Sequence, residues 1–74
     1  MKDEEWVRTR LEYAVMACEK LGEHGRASSP VVFSLKRTNS WLLVEFICEF
    51  LEEDPVPIWN GIVSKYPQMG EPIE

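Results

Sequence analysis

Residues 41–52 read Trp-Leu-Leu-Val-Glu-Phe-Ile-Cys-Glu-Phe-Leu-Glu, and this stretch decides the fold. Its acids, Glu45, Glu49 and Glu52, recur at helical spacing, while almost every other position is apolar. In a strand the same acids would share a face with large apolar side chains, which a half-buried strand does not tolerate. The pattern predicts a helix over 40–53. Because this helix is apolar around most of its circumference, it must be covered on several sides.

A second helix is predicted over residues 3–21, upstream of this stretch. Its apolar positions fall three and four residues apart, as on the buried side of an amphipathic helix: Val7, Leu11, Ala14, Cys18 and Leu21. Gly22 follows the last of them, where a left-handed residue often ends a helix. The stripe predicts that this helix packs against the apolar helix 40–53.

The segment between these two helices permits two interpretations. Ser29 and Pro30 resemble an N-cap followed by a proline in the first turn, which predicts a short helix over 30–37. The alternation of apolar and polar residues from Val31 onward instead permits an α+β fold with a β-hairpin at 31–47. The helix is the preferred interpretation, because the partner strand of that hairpin would have to come from helix 40–53.

The remaining sequence completes a small all-α domain. Apolar spacing after Pro57 predicts a helix over 57–66, although Gly61 lies inside it and disfavours helix by about 1 kcal/mol relative to alanine. The predicted organisation is one helical domain over residues 1–66, followed by a loose C-terminal tail over 67–74. A chain of 74 residues is too short for two independent cores.

Composition argues against a membrane protein and against secretion. The longest uninterrupted apolar run is Trp41-Leu42-Leu43-Val44, whereas a bilayer-spanning helix needs about 20 residues. The first residues are charged and no apolar segment follows them, so no secretory signal is expected. We therefore expect a soluble cytoplasmic protein.

Residues suited to catalysis or to metal binding are sparse. His24 is the single histidine and lies beside two glycines, and no serine occurs in a nucleophile motif. Cys18 and Cys48 lie among apolar neighbours, which predicts buried thiols, and no CxxC or HxxxH spacing suggests a metal site. The sequence thus predicts no enzyme activity, no metal and no cofactor.

The surface pattern instead favours a noncatalytic protein-binding module, such as an inhibitor, adaptor or regulatory subunit. The net charge is −5, and acids are concentrated in the second half of the chain. A basic protein surface is the expected partner, since acidic patches steer such partners. Aromatic anchors dominate binding energy at interfaces, although docking on the protein's own core is the preferred explanation for the two aromatic residues of helix 57–66. The predicted partner-binding residues are Glu45, Glu49, Glu52, Glu53, Trp59 and Tyr66.

Two alternatives remain open. The apolar helix 40–53, or the stripe of helix 3–21, pairs with its copy in a homodimer or larger oligomer. Alternatively, Arg26, Lys36 and Arg37 contact nucleic acid, but three cations in an acidic chain give weak affinity, so direct nucleic-acid binding is not expected.

Overall fold

The computed structural model describes residues 3–24 and 29–73, and every regular element in them is helical. The elements are α1 (Asp3–His24), α2 (Pro30–Leu51), α3 (Val56–Lys65) and a short 3-10 helix (Pro67–Met69). The predicted all-α class is confirmed, and α3 agrees with the predicted helix 57–66 to within one residue at each end. The alternative β-hairpin at 31–47 is wrong, because the whole of that range lies in α2.

The helices predicted separately over 30–37 and 40–53 form one continuous helix, α2. Its start is as predicted: the Ser29 hydroxyl accepts a hydrogen bond from the Val32 N–H at 3.2 Å, and Pro30 stands in the first turn. Thr38, Asn39 and Ser40 do not interrupt it. Their weak helix propensities cost a few tenths of a kcal/mol each, which the packing of the residues on both sides outweighs.

Helix α1 also runs beyond its predicted end. Gly22 was expected to end the helix as a left-handed residue, but it lies within the last turn. The helix continues to His24. A Cβ at Gly22 would lie 2.8 Å from Cβ and Cγ of Tyr66, so glycine is required for close approach of the two segments. The Gln68 side-chain amide donates a hydrogen bond to the Gly22 carbonyl, which lies in the last turn and has no partner within the helix.

The described part of the chain forms two layers. Helices α1 and α2 lie antiparallel, since Arg8 near the start of α1 contacts Glu53 just after α2. Helix α3 and the following residues form the second layer, and the molecule measures 42 × 24 × 17 Å. The core between the layers contains Leu11, Ala14, Cys18, Val44, Ile47, Cys48, Trp59, Ile62, Val63 and Met69.

Residues 67–73, predicted as part of a loose tail, are packed against the domain. Met69 is fully buried. The Trp59 Nε1 donates to the Glu71 carbonyl at 3.0 Å, and Asn60 exchanges two hydrogen bonds with the backbone of Ile73. No periodic pattern marks this segment in the sequence, because each of these contacts is made by a single side chain.

Candidate functional site

The largest departure from the packing expected of a small domain is on α2. Its apolar circumference was predicted to need cover on several sides, from this chain or from a second one, and much of it is exposed in the described structure. Phe46 is 59% and Phe50 68% exposed, and their rings contact each other edge to face at 5.2 Å. The other exposed apolar side chains of α2 are Val31, Val32, Leu35, Leu42 and Leu43.

The direction of this surface follows from helix geometry. Trp41 faces the second layer, where its ring lies 4.8 Å from that of Trp59. Val32 and Phe50 each lie two and a half turns from Trp41, which places them about 180° around α2 from its side chain. Leu43 also points away from the second layer, about 160° from Trp41 by the same arithmetic.

Helix α1 presents aromatic residues in the same direction. Gly22 contacts Tyr66 of the second layer, and Tyr13 lies about 180° around α1 from Gly22. Trp6 lies on the same side, and both rings are 57% exposed. The Arg10 guanidinium lies 4.9 Å from the centroid of each ring, a cation–π arrangement between the two.

Together these residues form one surface of the α1–α2 pair, on the side opposite α3. We call it the open face and define it by Trp6, Arg10, Tyr13, Val32, Leu43, Phe46 and Phe50. Trp6, Tyr13, Phe46 and Phe50 alone expose roughly 500 Å², taking about 200 Å² for each whole side chain. That is comparable with the largest apolar patch of a typical monomer, about 300–600 Å², and such patches often mark interaction sites.

A groove of about 530 Å³ continues the open face between the end of α1 and the first half of α2. Ala17 and Leu21 contribute apolar walls, while Lys20, His24 and Lys36 supply basic groups. An acidic side chain of a partner would therefore be favoured at this end of the open face.

The predicted acidic residues are all exposed, but they differ in their positions around the helix and in their contacts. Glu45 and Glu49 lie one turn apart on α2, about 40° and 80° around the helix from Trp41, between the second layer and the exposed apolar residues. Glu52 ends the helix in a left-handed conformation, with φ of 56°. Glu53 is already engaged, since it accepts a hydrogen bond from Arg8 at 2.6 Å. This contact raises the pKa of the Arg8 guanidinium above its usual value.

The two predicted aromatic anchors pack against the protein's own core. Trp59 is only 7% exposed and lies in the core, while Tyr66 is partly buried against Gly22. Of the two roles weighed for this pair, the described conformation matches docking on the protein's own core. The exposed aromatic residues are on α1 and α2, where the helical pattern alone favoured burial.

The cysteines were predicted as buried thiols, and this is confirmed. Cys18 and Cys48 are free, and neither is exposed to solvent. Burial, helped by Glu19, raises the pKa of Cys18 to about 11. Burial also raises the pKa of Cys48, with smaller contributions from Glu53 and Asp54. Both thiols are therefore poor nucleophiles near neutral pH.

The described residues do not bring together the basic residues considered for nucleic-acid contact, nor a set of metal ligands. Lys36 lies at the groove, whereas Arg37 donates a hydrogen bond to the Met69 carbonyl on the other side of α2, and Arg26 lies outside the described residues. Within 3–24 and 29–73, no three side chains of His, Cys, Asp or Glu come together as metal ligands. The same part of the chain contains no helix of the length and apolarity needed to cross a bilayer.

Comparison with known protein families, curated proteins and solved structures finds no match to this chain.

Proposed function

We propose that this chain is a noncatalytic protein-binding module that docks a protein partner on the open face. The observation that carries the proposal is the exposure of large aromatic side chains from two adjacent helices on the same side of the molecule. Such side chains dominate binding energy when they are covered by a partner. An inhibitor, an adaptor and a regulatory subunit would all use a surface of this kind.

Different residues supply affinity and steering in this proposal. Trp6, Tyr13, Phe46 and Phe50 are the anchors, replacing the pair Trp59 and Tyr66 that the sequence suggested. Glu45 and Glu49 lie beside the open face rather than on it, where charge accelerates association with a basic partner more than it adds affinity. Binding to such a partner is expected to weaken as salt screens these acids.

A cytoplasmic location is part of the same proposal. Cys18 and Cys48 are both present as free thiols, and proteins of reducing compartments retain free thiols. Their burial leaves them as core side chains rather than reactive groups.

A photo-crosslinking amino acid placed at position 46 tests the docking surface in cells. We expect crosslinked protein at position 46 and none with the same probe at Ser64, an exposed position on α3. The double variant Phe46→Ser/Phe50→Ser, carrying the probe at position 43, should lose the crosslinks. The matched control Ile73→Ser, which removes a partly exposed apolar side chain elsewhere, should keep them. Equal crosslinking at positions 46 and 64 would show that the open face has no special role.

A further inference from the structure

We infer that the open face binds an acidic amphipathic helix of the partner protein, which lies along the seam between α1 and α2 and places acidic side chains in the groove. This inference rests on the proposed function and names the chemistry and the conformation of the segment that docks. It depends on the charges beside the seam, on the helical nature of the surface and on the length of the open face.

The charges nearest the seam are basic, although the chain carries a net charge of −5. Tyr13 and Phe50 mark the open side of α1 and of α2. Every acidic position of the two helices lies about 80° or more around its helix from Tyr13 or Phe50, and Glu45 and Glu49 are left to meet basic parts of the partner outside the seam. Four basic residues lie within about 60° of Tyr13 or Phe50 on their own helix: Arg10, Lys20, His24 and Lys36. A segment that follows the seam therefore meets positive charge, which favours an acidic segment.

The groove concentrates this positive charge between the two helices. Among the residues that the structure describes, it is lined by Lys20, His24 and Lys36 and by no acid. His24 Nε2 contacts Glu23 Oε1 at 3.1 Å, whereas the ion pairs within the described residues include neither lysine. One lysine lies on α1 and the other on α2, so a carboxylate placed between them is attracted from both walls.

The helical surface favours a helix over an extended segment as the docked element. Every regular element of the described residues is helical, so they offer no strand edge with which an extended chain could pair. An extended segment would press unpaired N–H and C=O groups against aromatic rings, and such groups are costly to bury. A helix pairs these groups internally, and the ridges of its side chains pack into the furrow between two adjacent helices.

The length of the open face sets the length of the docked helix. From Trp6 to His24 on α1, and equally from Val32 to Phe50 on α2, the distance along the helix axis is about 27 Å. A partner helix of about 18 residues covers this distance. Its apolar side chains would cover the aromatic rings in one half of the open face, and its acids would lie in the groove in the other half.

The first test measures binding of synthetic peptides of about 18 residues to the full chain. The acidic peptide carries leucines three and four residues apart with glutamates on either side of them, and in the basic peptide lysines replace the glutamates. A third peptide has the acidic sequence with two central prolines, which prevent a helix. Fluorescence anisotropy should show the acidic helix binding at least about tenfold more tightly than either control. An acidic peptide that binds no better than a control would overturn the inference.

The second test reverses single charges in the groove, with circular dichroism to verify folding. Lys20→Glu and Lys36→Glu should each weaken binding of the acidic peptide at least about fivefold, because repulsion replaces attraction. Lys65→Glu makes the same change in net charge at an exposed position of α3 and should alter the affinity less than about twofold. If Lys65→Glu weakens binding as much as the other two variants, only net charge matters and the inference is wrong.

The third test compares two neighbouring leucines of α2 that differ in direction. Leu43 lies about 20° from Phe50 on the side of Lys36, whereas Leu42 lies about 80° from Phe50 on the other side. They are similarly exposed, at 49% and 55%. Leu43→Ser should weaken binding of the acidic peptide at least about tenfold, and Leu42→Ser less than about threefold. Equal losses would contradict docking along the seam.

Crosslinking at position 46 separates this inference from the proposed function. The partner segment captured there, identified by mass spectrometry, should be acidic and should carry apolar residues at helical spacing. A basic segment, or a second copy of this chain, would overturn the inference while the binding function stands. If position 46 crosslinks to no protein at all, both are wrong.

Discussion

At the scale of single residues, Gly22 shows most clearly how contacts between distant segments determine a role. Its Cα lies so close to Tyr66 that a side chain does not fit, whereas a Cβ at Gly61 would meet nothing within 4 Å. Both glycines are helical, so substitution by alanine gives the same gain in helix propensity at each. The difference between the two substitutions therefore isolates the contact with Tyr66.

We expect Gly22→Ala to lower the free energy of unfolding by about 1–3 kcal/mol, because overpacking outweighs the improved propensity. Gly61→Ala should raise it by about 0.5–1 kcal/mol. Urea denaturation followed by circular dichroism at one protein concentration measures both. If the two variants gain equal stability, the close approach of α1 to Tyr66 is incorrect.

Residue roles were predictable where they depend on neighbours in sequence. The N-cap at Ser29 and the burial of Cys18 follow from local spacing and composition, and the structure bears both out. Trp59 and Tyr66 were ambiguous, since an aromatic residue on a short amphipathic helix can face its own core or a partner. Trp41 and residues 69–71 determine the environment of Trp59, and no local pattern reveals those contacts.

At the scale of elements, α2 shows why helix type was predictable and helix length was not. Apolar spacing identified both halves of α2, and polar residues at 38–40 suggested a break between them. Weak propensity lowers helix stability without ending a helix, whereas proline removes a hydrogen-bond donor and does. The end of α2 was accordingly predicted to within two residues, just before Asp54 and Pro55.

The C-terminal segment (67–73) is an element that sequence periodicity cannot reveal, yet it closes the core. Met69 is fully buried at its centre, so Met69→Ala should lower the free energy of unfolding by about 2–5 kcal/mol. Ile73→Ala, four residues further on, removes a partly exposed side chain and should cost less than about 1 kcal/mol. Chemical denaturation of the two variants makes the comparison. Equal small losses would mean that the segment is as loose as its composition suggests.

At the scale of the whole molecule, the residues that the structure describes form two layers around one core and leave the outer side of the α1–α2 pair exposed. The sequence already indicated incomplete cover. The predicted helix 40–53 is apolar around most of its circumference, and so short a chain has few elements that can pack against it. Which part of the circumference stays uncovered could not be predicted. It depends on where α3 and residues 67–73 pack, and so on contacts such as that between Trp41 and Trp59.

The thermal stability of the whole molecule reports whether that bare side is covered in solution. If two copies pair, folding is coupled to association, and a hundredfold rise in protein concentration should raise Tm by about 5 °C or more. Phe46→Ser/Phe50→Ser should abolish this dependence while leaving Tm at the lowest concentration nearly unchanged. The reason is that neither ring belongs to the core; the substitutions remove an exposed edge-to-face contact, which contributes little within one chain. A folded monomer would show the opposite pattern: Tm would be independent of concentration in both proteins, and any effect of the substitutions would be the same at every dilution.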